Sequence, residues 1–276
     1  DPRRRVPDFE GQQADLEDFI ARVSYVPAGT GFHVTTWNVN WSPPSKRDAI
    51  RERIKRFCTN GVFVLTEGDI GVLPADGHLI EGATDWGYRV KDPARRKLIL
   101  WSEDELSDVD VLGSPDLPPG RFAAGTLRTP EGPVRIIAVC IPWRDAHVRT
   151  GSRKAKPWEE HLAYLRALRP ILDKARETTP TCVVGDFNQR VPSTWAPRVV
   201  RAAMASTFEG FTILTAGEEP LPGLAEQAVD HIAVSDGLTC YSRSGLDCSD
   251  TPPSDGTPPR FLSDHHLISC SLVRDA

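Results

Sequence analysis

Two polar side chains directly follow a short apolar segment, at the point where the chain is expected to leave the protein core. Residues 181–184 read TCVV, an apolar and β-branched run typical of a buried strand, and Gly185 follows them. Asp186 and Asn188 stand two residues apart, so on an extended chain their side chains leave the same face. This pair suits a site that holds a phosphate and a hard cation, although a simple Asp/Asn turn would have the same sequence.

Polar residues also interrupt or follow several other predicted strands. Glu67 offers a hard carboxylate ligand, which suits Mg²⁺ because that ion prefers oxygen donors. Asparagine amides can donate to phosphate oxygens without adding negative charge. A carboxylate beside the His265 imidazole, such as that of Asp230, would raise its pKa, and the imidazole could accept a proton or stabilise phosphorane charge. The full set is Asn38, Glu67, Asp186, Asn188, Asp230, His231, Asp264 and His265.

A basic segment, residues 143–156, lies between a predicted strand and a predicted helix. A charged loop is commonly no more than a solvated surface, but beside a phosphate site it would bind the substrate. Its cations, together with Trp143 and Trp158, suit a nucleic-acid strand. The basic residues are Arg144, His147, Arg149, Arg153, Lys154 and Lys156.

The elements that must position these residues are mostly strands. Apolar, β-branched runs predict strands at residues 32–40, 62–66, 97–101, 121–128, 133–141, 181–184, 211–215, 228–234, 238–242 and 267–273. Apolar residues at helical spacing predict helices at residues 14–23, 46–57, 158–177 and 195–206. We therefore expect an N-terminal extension with a short helix, residues 1–30, followed by one domain, residues 31–276.

Composition limits the classes of function. The 276 residues carry a formal net charge of -5, so a nucleic-acid substrate would require a local basic patch or a metal ion. No apolar run has the length of a membrane span. The 6 Cys form no CxxC pair, which argues against a zinc site and favours buried, reduced thiols. No signal peptide is visible, so a cytoplasmic location is favoured, whereas the sequence does not predict an oligomeric state.

Five short features occur in an order and spacing that resemble a known family. They are WNVN at residues 37–40, a strand that ends at Glu67, GDFN at residues 185–188, VDHI at residues 229–232 and SDH at residues 263–265. Together they resemble the endonuclease/exonuclease/phosphatase superfamily, over residues 31–273. The resemblance implies an α/β fold, a four-layered α/β/β/α sandwich of two packed mixed sheets flanked by helices. It also implies metal-dependent hydrolysis of a phosphoester by an activated water.

The same resemblance implies a set of metal ligands. Glu67 would be the principal ligand, Asn38 would help to hold the metal and the phosphate, and Asp264 would contact the metal or position the site. Asn40 stands where some members carry a second acid, which disfavours a second metal ion but leaves the number of ions, one or two, open. The expected ion is Mg²⁺, and Mn²⁺ could replace it.

The remaining roles implied by the resemblance are catalytic. Asp186 would orient or deprotonate the attacking water, and Asn188 would bind the phosphate. Asp230 would pair with His265. These roles together describe general acid–base chemistry at one phosphorus atom.

One position departs from the family pattern. Many members carry a His or Tyr, which helps the leaving group, at the end of the strand that here reads Cys140-Ile141. Neither residue can perform that task well. Among the loop residues that could replace it, Trp143, Arg144 and His147, we favour Arg144, because a guanidinium forks onto phosphate.

These features predict a Mg²⁺-dependent phosphodiesterase, with a nuclease favoured because of the basic loop. The same chemistry on a small phosphorylated molecule or a phospholipid headgroup is the first alternative. An inactive member that binds a partner is the second, motivated by the missing His or Tyr. The otherwise intact set of polar residues argues against this second alternative.

Overall fold

The computed structural model describes residues 31–41, 43–151, 153–248 and 261–275, and these ranges contain twelve β-strands. The strands are β1 (Gly31–Asn38), β2 (Gly61–Asp69), β3 (His78–Glu81), β4 (Arg95–Ser102), β5 (Ser107–Asp110), β6 (Phe122–Thr129), β7 (Gly132–Cys140), β8 (Thr181–Asp186), β9 (Thr212–Ile213), β10 (Asp230–Val234), β11 (Leu238–Leu246) and β12 (Leu267–Arg274). In the same described ranges three α-helices accompany them: α1 (Arg47–Lys55), α2 (Glu159–Thr178) and α3 (Arg198–Thr207). Short 3₁₀ turns occupy Pro44–Lys46 and Ile70–Val72.

The strands form two mixed sheets of six. The order is β11-β12-β1-β2-β4-β3 in the first sheet and β5-β6-β7-β8-β10-β9 in the second. In each sheet one parallel pair lies near the middle, β1 with β2 and β7 with β8, and a helical crossover connects its strands. Because parallel strands end at the same sheet edge, the residues after β1 and β2 lie together, as do those after β7 and β8.

Three apolar layers hold the sheets and helices together. The inner faces of the two sheets share one buried cluster, in which Val64 and Leu100 of the first sheet join Ala138 and Val184 of the second. Helix α1 covers the outer face of the first sheet, and helices α2 and α3 cover the outer face of the second. The four-layered α/β/β/α sandwich of the sequence prediction is therefore confirmed.

Local differences from the sequence prediction follow from short-range chemistry. The third helix begins at Arg198, because Pro197 has φ -54 and ψ 148 and stands outside the helix as its N-terminal cap. Strand β9 has only two residues, and β11 runs on to Leu246. The predicted helix at residues 14–23 and the residue range 249–260 lie outside the described part of the chain.

All six cysteines are free thiols, as predicted; five are buried and Cys240 is half-buried. None of the helices in the described ranges has the length and hydropathy that a membrane span requires.

Candidate active site

The predicted site residues meet at the edge where the parallel strands end. Asn38 is the last residue of β1 and Asp186 the last of β8. Asp230 begins β10 and lies directly opposite Asp186 in the antiparallel pair of β10 and β8. His265 precedes β12, which runs antiparallel to β1, so it returns to the same edge. Four segments far apart in sequence thus contribute to one cluster.

Amide groups surround the Asp186 carboxylate. Its Oδ2 accepts from Asn38 Nδ2 at 3.0 Å and from Asn188 Nδ2 at 2.7 Å, and its Oδ1 accepts from the Asn188 backbone N–H at 2.8 Å. The backbone turns sharply here: Gly185 has φ 140, and a Cβ at this position would overlap the carbonyl oxygen of Val139. The GDFN motif therefore fixes the Asp186 carboxylate through backbone geometry as well as through hydrogen bonds.

Burial shifts the protonation of Asp186. The residue is 1% exposed, and desolvation raises its pKa to about 7, with the neighbouring Asp230 carboxylate acting in the same direction. The nearby His265 cation and the amide hydrogen bond from Asn38 act against this rise. A cation placed between the two acids would favour their ionised forms.

His265 and Asp230 form the expected pair, with His265 Nδ1 at 2.6 Å from Asp230 Oδ2. Burial works to lower the pKa of His265, but the Asp230 carboxylate outweighs it, and the pKa rises to about 10. The imidazole is therefore positively charged at neutral pH. Its position is fixed because its backbone N–H donates to Ser263 Oγ at 3.1 Å and its carbonyl accepts from Trp37 Nε1 at 3.0 Å.

The Glu67 carboxylate contacts a lysine that the sequence patterns did not indicate as a site residue. Lys97 of β4 lies opposite Glu67, between the cross-strand pairs Thr66–Leu98 and Gly68–Arg96, and its ammonium forms an ion pair with that carboxylate. The two side chains are only 8% and 19% exposed. Glu67 has φ 50, a left-handed conformation that an L-residue adopts at a cost.

A second cation that the sequence patterns did not indicate, Arg121, lies next to Cys140. The buried Arg121 guanidinium donates to the Cys140 carbonyl at 3.1 Å and to Cys140 Sγ at 3.6 Å. Desolvation raises the pKa of the Cys140 thiol to about 12, so this side chain stays neutral and cannot act as a base. The positive charge at this strand end therefore comes from an arginine of the neighbouring strand region.

The remaining predicted residues are Asp264, which directly precedes His265, and the basic residues of the loop. Asp264 is exposed and accepts from Ser263 Oγ at 3.4 Å. His147 is buried, and its backbone N–H donates to the Tyr88 hydroxyl at 2.8 Å. The other basic loop residues, which are exposed, are Arg144, Arg149, Arg153, Lys154 and Lys156.

His231 does not face the cluster, because successive strand residues point to opposite faces. It binds Thr215 Oγ1 at 2.8 Å through Nδ1 and the Gln189 carbonyl at 2.9 Å through Nε2. Desolvation lowers the pKa of His231 to about 4. Sequence reasoning placed it in the polar set, but the structure gives it a role in packing.

This burial predicts a pH-dependent free energy of unfolding. The unfolded chain binds a proton at His231 below pH 6.5 and the folded chain only near pH 4, so stability present above pH 6.5 is lost as the pH falls. We expect His231 to account for a loss of about 2–3 kcal/mol between pH 7.5 and 4.5. Urea unfolding should show a correspondingly flatter pH dependence in His231→Gln; equal slopes in the two proteins would contradict this.

The donor set fits a hard divalent cation. One carboxylate oxygen each of Asp186 and Asp230 and a ring nitrogen of His265 lie within 4.8 Å of one another, and because the charged imidazole cannot ligate a metal, the two carboxylates are the donors of this group. Asp230 Oδ1 is buried and, in the described ranges, has no hydrogen-bond partner, which is costly unless a cation satisfies it. Carboxylate and amide oxygens are the ligands that Mg²⁺ prefers.

Comparison with known proteins identifies the fold. No protein-family model matches the sequence, and no curated protein does. Among solved structures, an endonuclease/exonuclease/phosphatase family protein from Bacteroides thetaiotaomicron is 15% identical with a TM-score of 0.59, covering 89% of this chain and 96% of that one. The mannosyl-6-phosphatase Bt3783 of the same organism is 15% identical with a TM-score of 0.58, covering 88% and 99%.

A nuclease has the same architecture. The 3'-5' exonuclease NExo from Neisseria meningitidis is 19% identical with a TM-score of 0.59, covering 89% of this chain and 100% of that one. The two packed six-stranded sheets of this chain agree with these similarities. The chain therefore has the fold of the endonuclease/exonuclease/phosphatase superfamily.

Proposed function

We propose that this protein is a divalent-metal-dependent phosphodiesterase that hydrolyses nucleic acid with an activated water. One observation carries the proposal: Asn38, Asp186, Asp230 and His265, from four distant segments, meet at one sheet edge. Packing alone does not account for two buried, facing carboxylates, because burying like charges destabilises a fold. The exonuclease and the phosphatase that share this fold support the reaction class.

The metal site is proposed from the oxygen donors. Glu67, helped by the amide oxygen of Asn38 and by Asp264, would hold Mg²⁺, or Mn²⁺ in its place. The bound ion would supply a Lewis acid for the phosphoryl oxygen. Asp230 Oδ1, which lacks a partner in the described ranges, would gain one from the same charge.

Asp186 is the proposed base that orients the attacking water and takes its proton. Its carboxylate is fixed by three N–H donors and is therefore held in one orientation. Both amide hydrogens of Asn188 are already used, by Asp186 Oδ2 and by the Ile141 carbonyl at 2.9 Å. Asn188 thus acts through Asp186 in this proposal, whereas Asn38 keeps a second amide hydrogen for the phosphate.

The charged His265 imidazole is the proposed stabiliser of the phosphorane. Asp230 holds the ring by Nδ1, which leaves Nε2 to donate to a phosphoryl oxygen. Arg144 remains our proposal for the leaving group, since its side chain is 53% exposed and follows the strand that ends at Cys140. Arg121, which is buried beneath Cys140, would add fixed positive charge without touching the substrate.

The nucleic-acid preference is proposed from the basic loop. Residues 143–156 follow β7, and the Ile141 carbonyl just before them binds Asn188, so the loop starts at the cluster. Exchanging Arg149, Arg153, Lys154 and Lys156 for Gln should reduce the slope of log K against log salt by about 1–3. Single-stranded DNA binding would be measured in chelator by fluorescence anisotropy between low and moderate salt.

A control variant removes two positive charges at surface positions away from the loop. Arg128 and Lys174 are exposed, and Arg128 lies near the β6–β7 turn, at the opposite end of β7 from the cluster. Their replacement by Gln should leave the salt slope unchanged. A slope that is equally unchanged in the loop variant would remove the loop from the substrate path.

A second candidate function is hydrolysis of a small phosphorylated molecule. The similarity to a mannosyl-6-phosphatase and the net charge of -5 favour it over a lipid headgroup. The same catalytic groups would act, but the basic loop would contribute little.

A substrate panel separates these candidates. Plasmid DNA, RNA, bis-p-nitrophenyl phosphate, sugar phosphates and phosphoinositides would be incubated with Mg²⁺, with Mn²⁺ and with chelator. Chelator-sensitive cleavage of nucleic acid that disappears in Asp186→Ala supports the nuclease. Turnover confined to soluble phosphate esters supports the second candidate, and no turnover at all would contradict both and leave a partner-binding role.

A further inference from the structure

A pocket near the Lys97–Glu67 ion pair has no part in the chemistry described so far. It lies in the connection between β3 and β4 and has a volume of about 390 Å³. Its walls include Tyr88, Lys91, Pro93 and Arg95, with Asp85 as the single acid. Asp85 Oδ1 already accepts the Gly87 backbone N–H at 2.9 Å, so part of its charge is used locally. The size suits a small ligand or one nucleotide unit.

Lys91 of this wall is exposed, whereas Arg95 is half-buried and forms no ion pair within the described part of the chain. Its Nε is buried without a hydrogen-bond partner, and no carboxylate of the described ranges lies within ion-pair distance of its guanidinium. Nearby arginines are paired, Arg47 with Asp69 at 2.8 Å and Arg96 with Glu81 at 2.6 Å. A half-buried guanidinium without a counter-ion is costly, and an anion in the pocket would pair with it.

The Trp41 indole lies near both the pocket residue Arg95 and Lys97, the lysine that pairs with the proposed metal ligand Glu67. The Arg95 guanidinium carbon lies 5.8 Å from the centroid of the Trp41 ring, and Lys97 Nζ lies 5.1 Å from the same centroid. Lys97 in turn forms the ion pair with Glu67. Trp86 stacks on Trp41 with ring centroids 5.3 Å apart, which holds the indole next to both cations. A substrate bound at Glu67 therefore needs to extend only past Trp41 to reach Arg95.

The far side of the pocket leads to the basic loop. The Tyr88 hydroxyl accepts from the His147 backbone N–H at 2.8 Å, and the two rings lie 4.5 Å apart. The pocket is thus connected through Trp41 to the Lys97–Glu67 pair and through Tyr88 to residues 143–156. Cations and aromatic rings alternate along this path, as in sites that bind single strands.

We propose that this pocket is a second anion-binding subsite, which takes the phosphate group next to the scissile one in a nucleic-acid strand. Arg95 forks onto the phosphate, Lys91 adds charge at the rim, and Tyr88 contacts the adjoining nucleoside. The inference rests on the proposed function and names its substrate class, a polyanion with regularly spaced phosphates. A monoester lacks the group that the subsite binds.

Dinucleotides that differ by one terminal phosphate provide the kinetic test. Dithymidine monophosphate would be compared with its 5'- and 3'-phosphorylated forms, because the direction of the strand is not fixed. We expect one phosphorylated form to be preferred in kcat/KM, and Arg95→Gln to reduce that preference about tenfold. Arg95→Lys should restore part of it, and Arg128→Gln, a surface change near the β6–β7 turn, should keep it whole. A preference unaffected by Arg95→Gln would overturn the subsite.

Equilibrium binding separates this inference from the proposed function. Thymidine 3',5'-bisphosphate and thymidine 5'-monophosphate would be titrated in chelator by calorimetry. Tighter binding of the bisphosphate that is lost in Arg95→Gln supports the subsite even if no substrate is hydrolysed. Equal affinities for the two nucleotides in the unmodified protein, or a difference that survives in Arg95→Gln, would contradict it. Circular dichroism of each variant would verify that the fold is kept.

Discussion

Asp186→Asn should lower kcat for phosphodiester hydrolysis by about 10³-fold, because it removes the proposed base and leaves its surroundings in place. The three groups that bind Asp186 all donate hydrogen bonds: the side-chain amides of Asn38 and Asn188 and the Asn188 backbone N–H. An asparagine can accept with only one of its two terminal atoms, so its own amide would meet a donor. The variant therefore loses the proton acceptor. It also places the new amide N–H groups against at least one of the hydrogen-bond donors that surround position 186.

Two controls separate lost chemistry from a lost fold. Asp236→Asn, at an exposed position after β10, should retain full activity. Thermal unfolding should place Asp186→Asn within a few degrees of the unmodified protein, since the substitution also removes a buried charge. The activity would be measured in single turnover with saturating Mg²⁺, so that product release does not mask the chemical step. A kcat within tenfold of the unmodified protein would remove Asp186 from the chemistry.

The sequence allowed the cluster to be predicted because its members stand at strand ends. Asp186 and Asn188 follow an apolar run, and Asp230 and His265 interrupt or precede others, so strand patterning alone marks them as exceptions. The same patterning could have excluded His231, because neighbours on a strand face opposite sides and Asp230 had already been assigned to the site. The layered fold was predictable from the succession of strands and helices and from the motif resemblance together.

Lys97 and Arg121 could not be found in this way. Each stands at the edge of an apolar strand, where a basic residue normally marks the exit into solvent. Only the register of β4 against β2 places Lys97 opposite Glu67, and only the pairing of β6 with β7 brings Arg121 near Cys140. The pocket around Arg95 could not be predicted either, because the apolar residues in residues 69–95 do not recur at the spacing of a helix or a strand.

Lys97→Met should destabilise the metal-free protein by about 3 kcal/mol, because it leaves the largely buried Glu67 carboxylate without its cation. A divalent ion at Glu67 would supply the missing charge, so Mn²⁺ should restore most of this stability. By the same argument the lysine competes with the metal in the unmodified protein, and Lys97→Met should bind Mn²⁺ about tenfold more tightly. Lys97→Arg keeps the charge and should resemble the unmodified protein in both measurements.

The linkage between stability and metal binding makes this prediction independent of any substrate. Urea unfolding at increasing Mn²⁺ concentration gives the stability gained by binding, and calorimetry gives the affinity directly. If Glu67 holds the ion, Mn²⁺ raises the free energy of unfolding more in Lys97→Met than in the unmodified protein. Equal gains in the two proteins would mean that the ion binds elsewhere in the cluster, with Asp186 and Asp230 as its acids. The Glu67–Lys97 pair would then be a structural ion pair, and the left-handed backbone at Glu67 would serve that pair alone.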